Sequence, residues 1–175
     1  KTEQQRVIDM PTPKKESAIV SGVVYNQRLY TLDPTTNQIY RHNRTQTGYD
    51  KGTPWITSGG VNLTGASGLA IDGDLFVLLP QSIVKLTSGQ PVDFSLSGLD
   101  PALQNPASIW TYTDLNYIYV LEPTNKRLIV LEKNGKLKVQ YTAEGWQAPT
   151  DMVIDEAKKT AYVIDNNKIY RFKLE

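Results

Sequence analysis

The sequence predicts an all-β fold, a four-bladed β-propeller built from four-stranded antiparallel blades. A strand-like phrase recurs four times, around Tyr30, Phe76, Tyr119 and Tyr162, and these aromatic residues lie 46, 43 and 43 positions apart. Repeats of about 40–50 residues made of short strands are typical of propeller blades. Turn signals separate the strand-like runs, most clearly Asn134-Gly135, a dipeptide that favours a tight hairpin. The 12 glycines and 10 prolines suit a fold with many turns.

The third repeat shows the pattern of one blade most clearly. We predict an inner strand at 108–112, a second strand at 117–121, a third at 127–131 and an outer strand at 136–141. The outer strand alternates lysine and glutamine with leucine, valine and tyrosine. This alternation is expected of a strand with one wet face and one packed face.

The same order of strands and turns divides the whole chain into one propeller domain spanning residues 1–175. The predicted blades are blade one at 17–65, blade two at 66–105, blade three at 106–148, and blade four at 149–175 together with a strand at 5–10. We expect the N-terminal strand to complete blade four, because joining the chain ends removes an exposed sheet edge. Two alternatives stay open: these blades are part of a larger ring, or two copies assemble into one ring.

Composition excludes several classes of function. The 19 basic and 18 acidic residues give a net charge of +1, which provides no general attraction to nucleic acid or to an anionic membrane. The chain contains no cysteine, which excludes disulfides, thiolate metal sites and a cysteine nucleophile. No stretch approaches the roughly 18 apolar residues of a membrane span, so we expect no membrane insertion of this fragment. The first residue is Lys1, and a missing N-terminal anchor stays open.

Blade three carries a family resemblance. Pro106, the run 118–122, the run 125–128 and Asn134-Gly135 resemble the NHL repeat, which has a proline, a Tyr-Val-x-Asp strand, an Asn-x-Arg-Ile strand and a closing glycine. Blade one matches in part, with Gln38 at the place of the arginine, and blades two and four lack that arginine.

The whole chain is also similar to propeller-like C-terminal regions of membrane-anchored bacterial proteins from candidate phyla. This second resemblance implies a propeller at an extracytoplasmic or cell-surface location, and an anchoring segment upstream of Lys1 stays open. The two resemblances imply no particular activity.

Few residues have the chemistry that catalysis needs. His42 is the single histidine, and no Gly-x-Ser-x-Gly nucleophile motif accompanies it, so we expect an exposed or structural histidine. Asp33, Glu122 and Asp165 follow the second strands of their blades, whereas blade two has Leu79 there. Such carboxylates order turns, although a ring of them around an axis could hold a hard cation. We therefore predict no catalytic residue, no metal site and no cofactor.

The sequence is most consistent with a monomeric, non-enzymatic interaction propeller that binds a protein, a peptide or a cell-wall glycan. The binding surface is expected at one end of the ring, where the inter-blade loops and the turns between second and third strands gather. The predicted contact residues are Asn37, Asn105, Asn125, Arg127, Trp146, Gln147 and Asn166. Two alternatives remain: a small metal-dependent hydrolase resembling gluconolactonase propellers, and a structural spacer domain.

Overall fold

Four antiparallel sheets are arranged as the blades of a four-bladed β-propeller, as the sequence predicts. We describe residues 10–175 from a computed structural model, and this range contains strands and turns but no helix. Blade one consists of β1 (Ser21–Tyr25), β2 (Arg28–Asp33), β3 (Gln38–His42) and β4 (Thr53–Pro54). Blade two consists of β5 (Gly68–Ile71), β6 (Leu75–Leu78), β7 (Ile83–Thr87) and β8 (Gln90–Val92). Blade three consists of β9 (Ser108–Trp110), β10 (Tyr117–Glu122), β11 (Arg127–Glu132) and β12 (Leu137–Thr142). The described strands of blade four are β13 (Pro149–Asp155), β14 (Thr160–Asp165) and β15 (Lys168–Lys173).

The predicted fourth strand of blade four, at 5–10, cannot be compared with the structure. Residues 1–9 lie outside the described part of the chain, and Met10 is not in a strand. The third blade agrees closely with its prediction, and its hairpin at Asn134-Gly135 places Gly135 at a φ of +92°. Only glycine adopts that backbone angle readily. In the described range, no helix has the length and apolar character of a membrane span.

The core lies between the blades. The second strands of blades two and three, β6 and β10, carry long buried apolar runs because both of their faces are covered by neighbouring blades. Side chains of β10 alternate between its two flanks: Ile118 and Val120 pack towards blade two, whereas Tyr119 and Leu121 pack towards blade four. In the described chain, one apolar cluster fills each of the spaces between blades one and two, two and three, and three and four.

A carboxylate links the first hairpins of blades three and four. Glu156 accepts hydrogen bonds from the Asn116 backbone amide at 3.0 Å and from the Tyr119 hydroxyl at 2.9 Å. Burial, together with the neighbouring Glu156 carboxylate, raises the pKa of the Tyr119 hydroxyl well above its ordinary value. Blade four is therefore held to blade three by polar contacts as well as by apolar packing.

Candidate functional site

A groove runs along the propeller axis between the inner strands. Its volume is about 330 Å³, within the range of sites that take a small ligand or a few side chains. Every blade contributes to its wall through its inner strand or the residues that follow it. The lining residues are Ser21, Gly22, Val23, Val24, Leu69, Ala70, Ser108, Ile109, Trp110, Thr111, Tyr112 and Asp151.

One end of the groove is polar. The Ser108 hydroxyl of β9 donates to Asp151 Oδ1 of β13 over 2.8 Å, which joins the inner strands of two blades. The same oxygen accepts the Met152 backbone amide at 2.8 Å. The Asp151 side chain is exposed, so its carboxylate can accept hydrogen bonds from a ligand as well.

The other end of the groove is apolar and aromatic. Val24 lies near the end of β1, and Tyr112 follows β9. Both side chains are partly exposed. The Trp110 and Tyr112 rings are tilted against each other, with their centroids 6.1 Å apart. A tyrosine fixed by a neighbouring ring offers contact area at a small cost in side-chain entropy.

The recurring acids are the last residues of the second strands, and two of them hold the segments that enter their blades. Asp33 Oδ1 accepts the backbone amides of Ala18 at 3.3 Å and Thr36 at 3.2 Å. Asp165 accepts those of Gln147 and Ala148 at 2.8 and 2.7 Å. Each carboxylate thereby ties the segment entering a blade to the second strand of that blade.

The pKa of Asp33 reflects these contacts. Burial alone would raise the pKa of the carboxyl, but the side chain and backbone amide of Thr36 and the amide of Ala18 lower it below its ordinary value. The charged form is therefore favoured in the folded protein.

Glu122 and Arg127 form a buried ion pair. Arg127 Nε donates to Glu122 Oε2 at 2.7 Å, and both side chains are almost completely buried. The guanidinium also donates to Gln140 Oε1 at 2.8 Å and to the backbone carbonyl oxygen of Pro101 at 2.8 Å. Arg127 therefore connects the third strand of blade three to the loop that precedes the blade.

Among the residues predicted to contact a ligand, Arg127 is the first residue of β11 and the others lie in turns and inter-blade loops, and their environments differ. Asn105, Gln147 and Asn166 are exposed, whereas the side chains of Arg127 and Trp146 are buried. Those two side chains stabilise the blades and do not face solvent.

Two of the predicted asparagines also have structural contacts. Asn37 donates through Nδ2 to the Val61 carbonyl oxygen at 2.8 Å and accepts the Leu63 amide at 2.7 Å. Asn125 donates to Glu122. The exposed part of the predicted surface is therefore smaller than the sequence indicated.

The single histidine is structural. His42 is completely buried, with Nε2 at 2.9 Å from the Thr31 hydroxyl and Nδ1 at 2.9 Å from the Asp50 carbonyl oxygen. The backbone at Gly52 packs so closely on the imidazole that a side chain there would overlap the ring. Residues 10–175 contain no group of three or more histidine, cysteine, aspartate or glutamate side chains arranged to hold a metal ion.

Sequence reasoning missed the axial groove. Ser108, Tyr112 and Asp151 are unremarkable in the sequence, and the register of the inner strands brings them together. The available signal was their position on or beside predicted inner strands, whose exposed faces must converge on the axis of a propeller.

No family model matches the chain, and no curated protein matches it. Solved structures do match, at low sequence identity. A streptogramin B lyase structure has a TM-score of 0.61 at 17% identity, covering 93% of this chain and 56% of its own. The nidogen structure in a nidogen/laminin complex has a TM-score of 0.67 at 15% identity, covering 90% of this chain and 61% of its own. The computationally designed Ika4 protein has a TM-score of 0.61 at 11% identity, covering 98% of this chain and 100% of its own.

These similarities establish the propeller fold. The chain spans little more than half the length of the lyase that it matches. The neighbours differ in function, and the fold is shared among them.

Proposed function

We propose that this protein is a non-enzymatic binding propeller that holds a segment of a partner protein in its axial groove. The observation that carries the proposal is the groove, with the exposed Asp151 carboxylate and the Ser108 hydroxyl at one end and the Tyr112 ring at the other. An extended peptide fits this arrangement, because its backbone amides can donate to the carboxylate while an apolar side chain packs on the ring.

The groups that catalysis would need are engaged in structural contacts. The His42 imidazole is buried between Thr31 and the Asp50 carbonyl oxygen. The carboxylate of Asp33 holds the entry to its blade, and that of Asp165 does the same. These contacts favour binding over a metal-dependent hydrolase, because the residues considered for such chemistry do not face the groove.

A protein partner is also consistent with one structural neighbour, since the nidogen propeller is seen in a complex with laminin. We further propose an extracytoplasmic or cell-surface location, supported by the resemblance to propeller-like regions of membrane-anchored bacterial proteins. Digestion of intact cells by an added protease tests the location. Loss of the protein supports it, and full protection contradicts it.

Selection from a display library of short peptides tests the binding function, with a glycan array in parallel. Peptides selected by the unaltered protein are expected to lose about tenfold in affinity towards Tyr112→Ala, about 1.4 kcal/mol. Asp151→Asn should also weaken binding, because it removes the negative charge but keeps an oxygen for the Ser108 hydroxyl.

The controls are Asn105→Gly and Asn166→Gly, which remove exposed side chains at the end of the ring. Both asparagines have positive φ angles, +46° and +53°, and glycine adopts such angles without strain. Unchanged affinity in these controls supports the groove. Loss of affinity only in the controls would move the site to the end loops. Binding to glycans alone would contradict a protein partner, and no binding of either kind would favour a spacer domain.

A further inference from the structure

Each interface between consecutive blades is formed by one flank of each blade, and two flanks of this chain have no partner flank. We call the flank of a blade that faces the next blade in the chain its leading flank, and the flank that faces the preceding blade its trailing flank. The inner strands β1 and β5, β5 and β9, and β9 and β13 pack against each other, and β13 makes no comparable contact with β1. The leading flank of blade four and the trailing flank of blade one are thus left without a neighbouring blade in the described chain.

The leading flank of blade four has apolar residues at the same register positions as the buried leading flanks of blades one, two and three. Strand register places Tyr162 opposite Val153 and Ile164 opposite Ile169, as Tyr119 lies opposite Trp110 and Leu121 opposite Leu128. The equivalent residues in blade two are Phe76, Leu78 and Ile83, and those in blade one are Tyr30, Leu32 and Ile39.

Exposure separates this flank from its equivalents. Tyr162 is 37% exposed and Ile164 is 41% exposed, whereas Tyr119 is 2% and Leu121 is 0% exposed. Ile169 is 72% exposed, and its equivalents in the other three blades are buried. Tyr162, Ile164 and Ile169 lie together on one flank. A contiguous exposed apolar patch marks an interaction site, whereas apolar residues scattered singly over a surface do not.

The trailing flank of blade one is its complement. Val24 lies opposite Leu29 in the register, as Ile71 lies opposite Leu75 and Ile154 opposite Ala161. Ile71 and Ile154 are buried against the preceding blade, but Val24 and Val20 are exposed.

Most of the exposed apolar surface belongs to these two flanks. Eight large hydrophobic side chains are exposed in the described range, and six of them lie on these flanks, namely Val20, Val24, Val153, Tyr162, Ile164 and Ile169. Val24 also lines the groove, and the remaining two residues are Tyr112 at the groove and Val92 on an outer strand.

We propose that the occupant of both flanks is a second copy of this chain, and that two copies form one eight-bladed ring. Blade four of each copy packs on blade one of the other, in the same way that consecutive blades pack within the chain. Two such contacts related by a two-fold axis along the ring close the assembly and leave no flank free. Eight blades lie within the usual range of propellers.

This inference goes beyond the proposed binding function and does not depend on it. It favours the two-copy ring, which the sequence left open, over the expected monomer. In the dimer, the axial grooves of both copies face a common channel.

Analytical ultracentrifugation over a range of concentrations tests the assembly. The expected species has twice the 19.6 kDa mass of the chain. Ile169→Lys should convert it to a monomer with an unchanged circular dichroism spectrum, because the substitution puts a charge on the leading flank without touching a blade core. Val92→Lys is the matched control, an exposed valine outside both flanks, and should leave the dimer intact. A monomer at all concentrations would overturn the proposal, as would an open series of larger oligomers.

Cross-linking separates a second copy from closure within one chain. Because the sequence has no cysteine, Val24→Cys and Val153→Cys each introduce one unique thiol. The equivalents of these residues, Ile154 and Trp110, belong to one apolar cluster across a blade interface. A short bismaleimide added to a mixture of the two single variants should therefore give a covalent dimer that neither variant gives alone. Absence of this product from the mixture, with efficient labelling of both thiols, would overturn the proposal.

Discussion

Replacement of Arg127 with leucine is expected to destabilise blade three severely. Both members of the Glu122–Arg127 pair are almost completely buried, and Arg127 also donates to Gln140 and to the Pro101 carbonyl oxygen. Without the guanidinium, the Glu122 carboxylate remains buried without a cation. Breaking a buried pair from one side typically costs about 3–5 kcal/mol, because the remaining charge is uncompensated.

Urea unfolding followed by tryptophan fluorescence measures this cost. With a denaturant slope of about 2 kcal/mol per molar, a loss of about 4 kcal/mol lowers the midpoint by about 2 M. The double variant Glu122→Leu with Arg127→Leu should recover part of the loss, because neither charge then remains in the core. Lys158→Ala is the control: it breaks the Asp155–Lys158 pair, whose lysine is 78% exposed, and should leave the midpoint unchanged.

Two results would refute this account of the pair. An Arg127→Leu midpoint close to that of the unaltered protein would mean that the Glu122 carboxylate is not confined to a dry environment. A double variant no more stable than Arg127→Leu would mean that the loss comes from packing or from the carbonyl contacts, and not from the unpaired charge.

Three further perturbations test other parts of the fold. Burial raises the pKa of Asp33, but hydrogen bonds from Thr36, Ser17 and Ala18 outweigh it and lower that pKa. The stability that the Asp33 carboxylate contributes should therefore be lost as the pH falls below about 4. The free energy of unfolding of Asp33→Asn should fall less steeply with decreasing pH than that of the unaltered protein. An equally steep fall would exclude Asp33 as a cause of the acid destabilisation. Glu156→Ala should cost about 1–3 kcal/mol in thermal or urea unfolding, because it leaves Tyr119 and nearby amides without their acceptor. Gly135→Ala should destabilise by more than about 1 kcal/mol, because its φ is +92° and the added methyl would overlap the Ser95 carbonyl oxygen. A neutral effect of either substitution would contradict the contacts described.

The repeat made the blade architecture predictable from the sequence. Tyr30, Phe76, Tyr119 and Tyr162 occupy equivalent positions in the second strands, and the turns between them fall where glycine, proline and asparagine indicate. These signals are local, because strand alternation and turn chemistry depend on near neighbours in the chain.

The candidate site was less predictable because its parts are distant in sequence. Arg127 was predicted to contact a ligand, but its side chain is buried and contacts Glu122 and two carbonyl groups about 25 residues away. The Ser108–Asp151 contact joins residues that are 43 positions apart, and only the packing of one blade on the next brings them together. Blade two has Leu79 at the position of the recurring acids. In the other blades, Asp33 and Asp165 accept backbone amides and Glu122 pairs with Arg127.

Consecutive blades pack flank to flank, and we propose that the leading flank of blade four packs on blade one of another copy. Hydroxyl-radical footprinting of Tyr119 and Tyr162 at increasing protein concentration tests it most directly. Tyr119 should be unreactive throughout, whereas Tyr162 should react in dilute solution and become protected as copies associate. Modification of Tyr119 in the folded protein would contradict the packing of blades three and four, and a Tyr162 that reacts equally at every concentration would contradict the assembly.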